Sequence, residues 1–201
     1  MRVRVFALAL STALIPGSLA AQACLGMPSS DGQIGIAATG TSTDGELEVG
    51  GEFHVDVTGP ASFRIEYGNG HDDGIGRTYG ALGSYELYLL DPSICGVAGA
   101  LYTTDAAPGI DQLGLSTGFG IGKTLQAERF TATIYAIPQY VYLTEYRTAV
   151  GGDETTESSS EFMAEAGVTF GIAPLFVGGG LTLSTIGDGD PGFRIRVGIL
   201  F

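Results

Sequence analysis

Residues 192–201 read Gly192-Phe193-Arg194-Ile195-Arg196-Val197-Gly198-Ile199-Leu200-Phe201. Phe193, Ile195, Val197, Ile199 and Phe201 share one parity, while Arg194, Arg196 and Gly198 share the other. A two-residue period of this kind belongs to a β-strand with two unlike faces. The same alternation returns upstream. Leu47, Val49, Phe53, Val55 and Val57 oppose Glu46, Glu48, Glu52, His54 and Asp56, and Phe63, Ile65 and Tyr67 oppose Arg64 and Glu66. Leu113, Leu115, Phe119 and Ile121 oppose Gly114, Ser116, Gly118, Gly120 and Gly122, and Phe162 to Phe170 repeats the pattern against Glu161 and Glu165.

Working outward from these stretches, the period predicts ten strands, with eight as the alternative count. They lie at about 33–42, 46–57, 61–70, 79–88, 95–103, 112–122, 130–146, 161–172, 175–186 and 192–201. Pro138 falls inside the seventh and predicts a bulge or local irregularity there. Thr58-Gly59-Pro60, Leu90 to Ser93, Thr124 to Ala127 and Ala173-Pro174 read as tight turns. Asp44-Gly45, His71 to Thr78, Thr104 to Asp111, Thr148 to Ser160 and Gly187 to Pro191 read as the alternating, mostly looser connections. An up-and-down meander puts the four tight turns at one end and the five other connections at the opposite end.

Composition limits what such a meander can be. The chain has 201 residues, a net charge of −13 and a single lysine, Lys123, which excludes the basic footprint of a nucleic-acid binder. It holds 33 glycines, more than double the usual ~7%. Mean hydropathy is +0.26; no apolar run of helix-spanning length occurs after the first twenty residues. Those twenty carry a basic start (Arg2, Arg4), an apolar stretch from Val5 to Ile15 and a small-residue end, the three regions of a secretory signal peptide cleaved after Ala20 or Ala23. Losing Arg2 and Arg4 takes the charge to −15. Cys24 and Cys95, the two cysteines, are expected to form one disulfide in an oxidising compartment.

Glycine and charge gather on the parity opposite the apolar residues. A soluble protein would place lysine and glutamate there; a narrow barrel has room for little else than small residues on its inner wall. Segments of 9–12 residues also span hydrocarbon when tilted by ~45°, and closure pairs every backbone group, as lipid requires. The expectation is therefore an all-β, closed antiparallel up-and-down transmembrane β-barrel occupying residues 24–201. Short turns at one end and longer loops at the other strengthen that reading.

Over essentially all of the exported chain this pattern resembles the small β-barrel outer-membrane proteins of diderm bacteria. The resemblance implies a cell-outer-membrane location, surrounding lipid and, during biogenesis, the barrel-assembly machinery as partners, and a monomer. It also implies a C-terminal assembly signal at Ile199 and Phe201, although Arg196 stands where that signal usually has glycine, which here is displaced to Gly198.

The inward parity gathers Glu48, Glu52, His54, Arg64, Glu66, Glu86, Glu165, Arg194 and Arg196, and its three arginines and five glutamates are expected to pair into a charge ladder filling the lumen. Tyr140, Tyr142, Tyr146, Phe176 and Phe193 suit an interfacial aromatic girdle. No catalytic residues, metal site or cofactor are assigned: His54 and His71 are the two histidines, without a serine–acid arrangement or metal-ligand spacing. Loop acids Asp72, Asp73, Asp105, Asp111, Asp153, Glu154, Glu157, Asp188 and Asp190 read as solvated, with divalent bridging to lipid headgroups as an alternative. The function expected is structural or surface-interacting. A narrow porin is the first alternative; a soluble periplasmic ligand-binding barrel and an outer-membrane hydrolase stand further back.

Overall fold

A computed structural model describes residues 23–28, 33–43, 46–57, 60–70, 76–88, 92–107, 109–148, 154–185 and 191–201. The expected signal peptide, His71 and the acids Asp72, Asp73, Asp153, Asp188 and Asp190 lie outside the described residues.

Ten strands form: β1 (Ile34–Thr43), β2 (Glu46–Val57), β3 (Ala61–Gly70), β4 (Arg77–Tyr88), β5 (Ser93–Ala107), β6 (Ile110–Gln126), β7 (Thr131–Thr148), β8 (Glu154–Ile172), β9 (Leu175–Ser184) and β10 (Gly192–Leu200). Each pairs antiparallel with its sequence neighbours, and β1 pairs with β10 from Gly35↔Leu200 to Ser42↔Phe193, closing the barrel. The seam leaves no unpaired edge there. Residues 58–60, 89–92, 127–130 and 173–174 connect strands at the tight-turn end, where β1 begins and β10 finishes.

Parity sorts the side chains as the alternation predicts. Ile65, Ile134 and Val197 are each more than half exposed on the outer face (54%, 55% and 55%), and they stand for a belt that also carries Leu115, Phe119, Phe170 and Leu181. Arg64, Glu52, Glu165 and Arg196 face inward and are buried. An apolar outer surface this continuous far exceeds the patches tolerated by a soluble monomer.

Four expectations change. First, Thr104–Asp111 and Thr148–Ser160 are largely strand: β5 and β6 run on until Ala107 pairs with Ile110, and β7 and β8 pair from Thr148↔Glu154 downward. Hydrophobic alternation fades there because both faces are polar, while cross-strand pairs such as Thr144↔Ser158 and Tyr146↔Thr156 keep the ladder going. Second, of the bulge or local irregularity expected at Pro138, the structure shows the irregularity and no bulge. The β6–β7 register is the same on both sides of it, with a gap between Gly118↔Gln139 and Ile121↔Ala136, and Pro138 still pairs with Ala164 on β8. The missing N–H interrupts one ladder locally without shifting it. The register shifts fall instead at Glu86/Tyr88 and Thr103/Ala107. Third, Phe176 does not join a girdle; it points inward, is 2% exposed, and packs with Met27, Ala37 and Leu200. Fourth, Glu86 sits outside the charge ladder, as described below.

Candidate functional site

The lumen is occupied in two layers. The lower one, at the tight-turn end, is the segment Ala23–Pro28, every residue of which is buried. Cys24 and Cys95 form a disulfide with Cα atoms 6.3 Å apart. Cys95 lies near the start of β5 and faces inward, so the bridge draws the N-terminal segment into the mouth. Thr133 Oγ1 donates to the Met27 carbonyl at 3.1 Å and Thr131 Oγ1 to that of Pro28 at 3.3 Å. Leu25 packs against Leu82, Val97, Tyr135 and Ile137.

Glycine makes the seat for this plug. A Cβ on Gly122 would fall on the Ala23 backbone, one on Gly120 would lie 3.0 Å from the Cys24 Cβ, and one on Gly171 would lie 3.2 Å from the Pro28 ring. Gly26 turns the plug itself: its φ is +76°, and a Cβ there would run into the Tyr135 ring. The inner-wall glycines near the turns thus had a specific occupant, which the sequence signalled only as crowding.

The upper layer is the charge cluster. Arg64 on β3 meets Glu165 on β8 in a bidentate pair, Nη2–Oε2 at 2.8 Å and Nη1–Oε1 at 3.3 Å. β3 and β8 stand five places apart in a ring of ten strands; this pair is a strut across the full width of the barrel. Arg194 on β10 reaches Glu52 Oε1 at 2.5 Å and Glu66 Oε2 at 2.6 Å. Arg196 lies 3.6 Å from both Glu52 and Glu165, donates to the Tyr135 hydroxyl, and places its guanidinium 4.9 Å from the Tyr135 ring centroid. Tyr135 in turn donates to Glu165 Oε1 at 2.8 Å. Three arginines and three glutamates therefore balance formally. Charge-assisted bonds among groups so buried offset the cost of taking them out of water.

Glu48, Glu52, Arg64, Glu66, Glu165, Arg194 and Arg196 all face the lumen as expected, but they do not form one continuous ladder. Glu48 lies higher, in a polar recess of about 170 Å³ that it lines with Thr39, Thr41, Glu66, Thr78 and Arg194; Gly68 leaves the space for its carboxylate. Glu86 joins no ion pair among the described residues and sits beside Ser93 near the tight turn. The register explains it. Arg64 is level with Leu82, and Glu86 lies four residues further down the same strand, roughly 13 Å at the strand rise. Parity places a residue on a face and says nothing of its height. His54, not singled out as a pairing partner, is bonded to Glu52 at 2.7 Å through Nε2 and is 4% exposed. At the C-terminal end, Ile199 points outward and Phe201 closes the β1–β10 seam, its N–H donating to the Ile34 carbonyl at 2.8 Å.

Among solved structures, the chain superposes on the N-terminal β-barrel domain of Pseudomonas aeruginosa OprF with 15% identity, over 86% of this chain and 100% of that one, at a TM-score of 0.42. Neisserial surface protein A superposes with 12% identity, over 84% of this chain and 93% of that one, at 0.41. The outer membrane protein Omp33 of Acinetobacter baumannii gives 10% identity, 85% and 99%, at 0.42. The chain is similar to bacterial outer-membrane β-barrels. The superpositions are loose, and it is the closed ladder of this chain that establishes its fold. No family profile and no curated protein sequence matches it.

Proposed function

We propose that the protein is a monomeric barrel of the bacterial outer membrane, exported with a cleaved signal peptide and inserted by the barrel-assembly machinery, for which Ile199 and Phe201 serve as the recognition signal. Its role in this reading is structural and surface-interacting, with no catalytic activity and no solute passage. The observation that carries the reading is the outer belt. Large apolar side chains point outward on all ten strands, and hydrocarbon is the solvent that rewards this. Support for a shut lumen comes from the buried plug below and the Arg64–Glu165 strut above it. Support for a non-enzymatic role comes from His54, whose Nε2 is already engaged by Glu52 inside the wall.

The test is expression of the full chain in a diderm host, followed by membrane fractionation, SDS gels with and without heating, and planar-bilayer recording. The expected result is an outer-membrane band that migrates differently after heating, and a silent bilayer. Partition into the aqueous fraction without detergent overturns the membrane reading. Stepwise conductance overturns the shut lumen and favours a narrow porin.

A further inference from the structure

The barrel rim is uneven. β7 and β8 pair all the way to Thr148↔Glu154, but the β8–β9 ladder stops at Met163↔Ser184. Residues 154–161 of β8 therefore stand above β9, with no strand on that side among the described residues. The last closed position is Phe162, whose carbonyl accepts from the Thr185 N–H at 2.9 Å and whose N–H donates to Thr185 Oγ1 at 2.9 Å. In an antiparallel strand, alternate residues direct both backbone groups to the same side. Phe162 directs its pair toward β9, so Ser160, Ser158 and Thr156 direct theirs toward the open side, ~6.8 Å apart along the strand.

This edge is accessible and chemically lopsided. Residues 155–160 are all exposed. Ser160, Ser158 and Thr156 share the outward parity of Phe162; Glu161 and Glu157 share the lumen-side parity of Glu165. On that side Arg147 is the one cation found with the acids among the described residues: it pairs with Glu145 at 2.9 Å and Glu157 at 3.2 Å. Glu161 accepts from Ser159 through Oε1, while its Oε2 is buried without a hydrogen-bond partner. Glu145, Glu157 and Glu161 thus outnumber the single guanidinium.

We infer that the free edge of β8 receives an extended segment of another protein, bound by strand addition, with Lys or Arg at every second position. Backbone pairing to Thr156, Ser158 and Ser160 supplies the affinity, and the incoming cations on the lumen-side parity meet Glu157 and Glu161. Exposed edges are ordinarily blunted against self-pairing by charge, and acids of one sign do so without excluding a basic strand. A second copy fits poorly. Antiparallel pairing of two β8 edges needs a two-fold axis across the strand, which sets two barrels head to head, outside any one membrane. It would also bring together two chains that are each strongly acidic.

The experiment uses the full chain folded in detergent micelles and a capped, fluorescent peptide of alternating Lys and Thr long enough to cover residues 154–161. A second peptide carries the same charges but has N-methyl groups on the amides that face β8. Anisotropy at physiological salt is expected to show at least ~10-fold weaker binding of the methylated peptide, the loss expected for one to two net backbone hydrogen bonds. Hydrogen exchange is expected to slow at Thr156, Ser158 and Ser160 when the unmethylated peptide is present. Ser158→Pro removes one open-side donor at an edge position that tolerates proline, and should reproduce the loss in a barrel whose heat-modifiable migration is unchanged. If Ser158→Pro does not fold, the exchange data decide. Equal binding of the two peptides, absence of binding, or protection elsewhere overturns the inference. So does a peptide-free dimer that Ser158→Pro dissolves, since that assigns the edge to a second copy.

Discussion

At Arg64 and Glu165 the energetic question is what one partner costs once the other is gone. Both side chains are 4% exposed, so neither can fall back on water. Arg64→Ala leaves the Glu165 carboxylate without its bidentate partner, and breaking a buried pair from one side costs roughly 3–5 kcal/mol. Replacing both by leucine removes the charges together and is expected to cost much less, though it unbalances Arg194 and Arg196. Urea unfolding of the barrel in detergent, run as a double-mutant cycle, measures the coupling. Additive losses would show that the strut is solvated and weak. Gly122 makes a parallel argument about space: its missing Cβ is where the Ala23 backbone passes. Gly122→Leu is expected to force the plug out and to expose the Cys24–Cys95 bridge. A mild reductant followed by a thiol-reactive polymer should then label the variant quickly and the parent slowly; equal labelling would mean that the plug seats without that gap.

For the plug as an element, the disulfide ties together residues separated by 71 positions, and chain-entropy arguments give such a bridge about 4 kcal/mol. Part of that value is delivered locally, since the bridge holds the plug at its seat. Replacing both cysteines by serine is therefore expected to leave the strands paired and to loosen Ala23–Pro28. Protease digestion of folded protein should trim the N-terminal segment in the double variant and spare it in the parent. Full protection in the variant would mean that Leu25 and Met27 hold the plug by packing alone. The strands themselves were legible because the period in residues 192–201 and its repeats is enforced by two different solvents on the two faces. Where both faces meet the same solvent, as in Thr155–Ser160, the period vanishes and the ladder continues unannounced. Heights were illegible for another reason: parity is a one-dimensional signal, and the distance between Glu86 and the Arg64 cluster depends on strand register. The seat glycines were visible as an excess, but their occupant lay in a segment with no period at all.

The whole molecule turns on which solvent surrounds it, and one outward position can report that. Val197 sits on β10 with Ile195 and Ile199 as its outward neighbours, and it is 55% exposed. It opposes Ala38 on β1 and Val177 on β9, so it lies well inside the apolar belt rather than at either rim. If that belt faces hydrocarbon, Val197→Arg puts a guanidinium among acyl chains, at a cost of about 2–4 kcal/mol near the midplane that falls toward zero at the interfaces. If the belt faced water, the same change would be neutral or would improve solubility. Unfolding in phospholipid vesicles separates the two cases, with Tyr102→Arg as a control placed high on the outer wall near the protruding strands. A large loss for Val197→Arg and a small one for Tyr102→Arg is the depth profile of a membrane-spanning wall. Equal, near-zero effects at both positions would remove hydrocarbon from the account, and the closed ladder would then need another reason to present so much apolar surface.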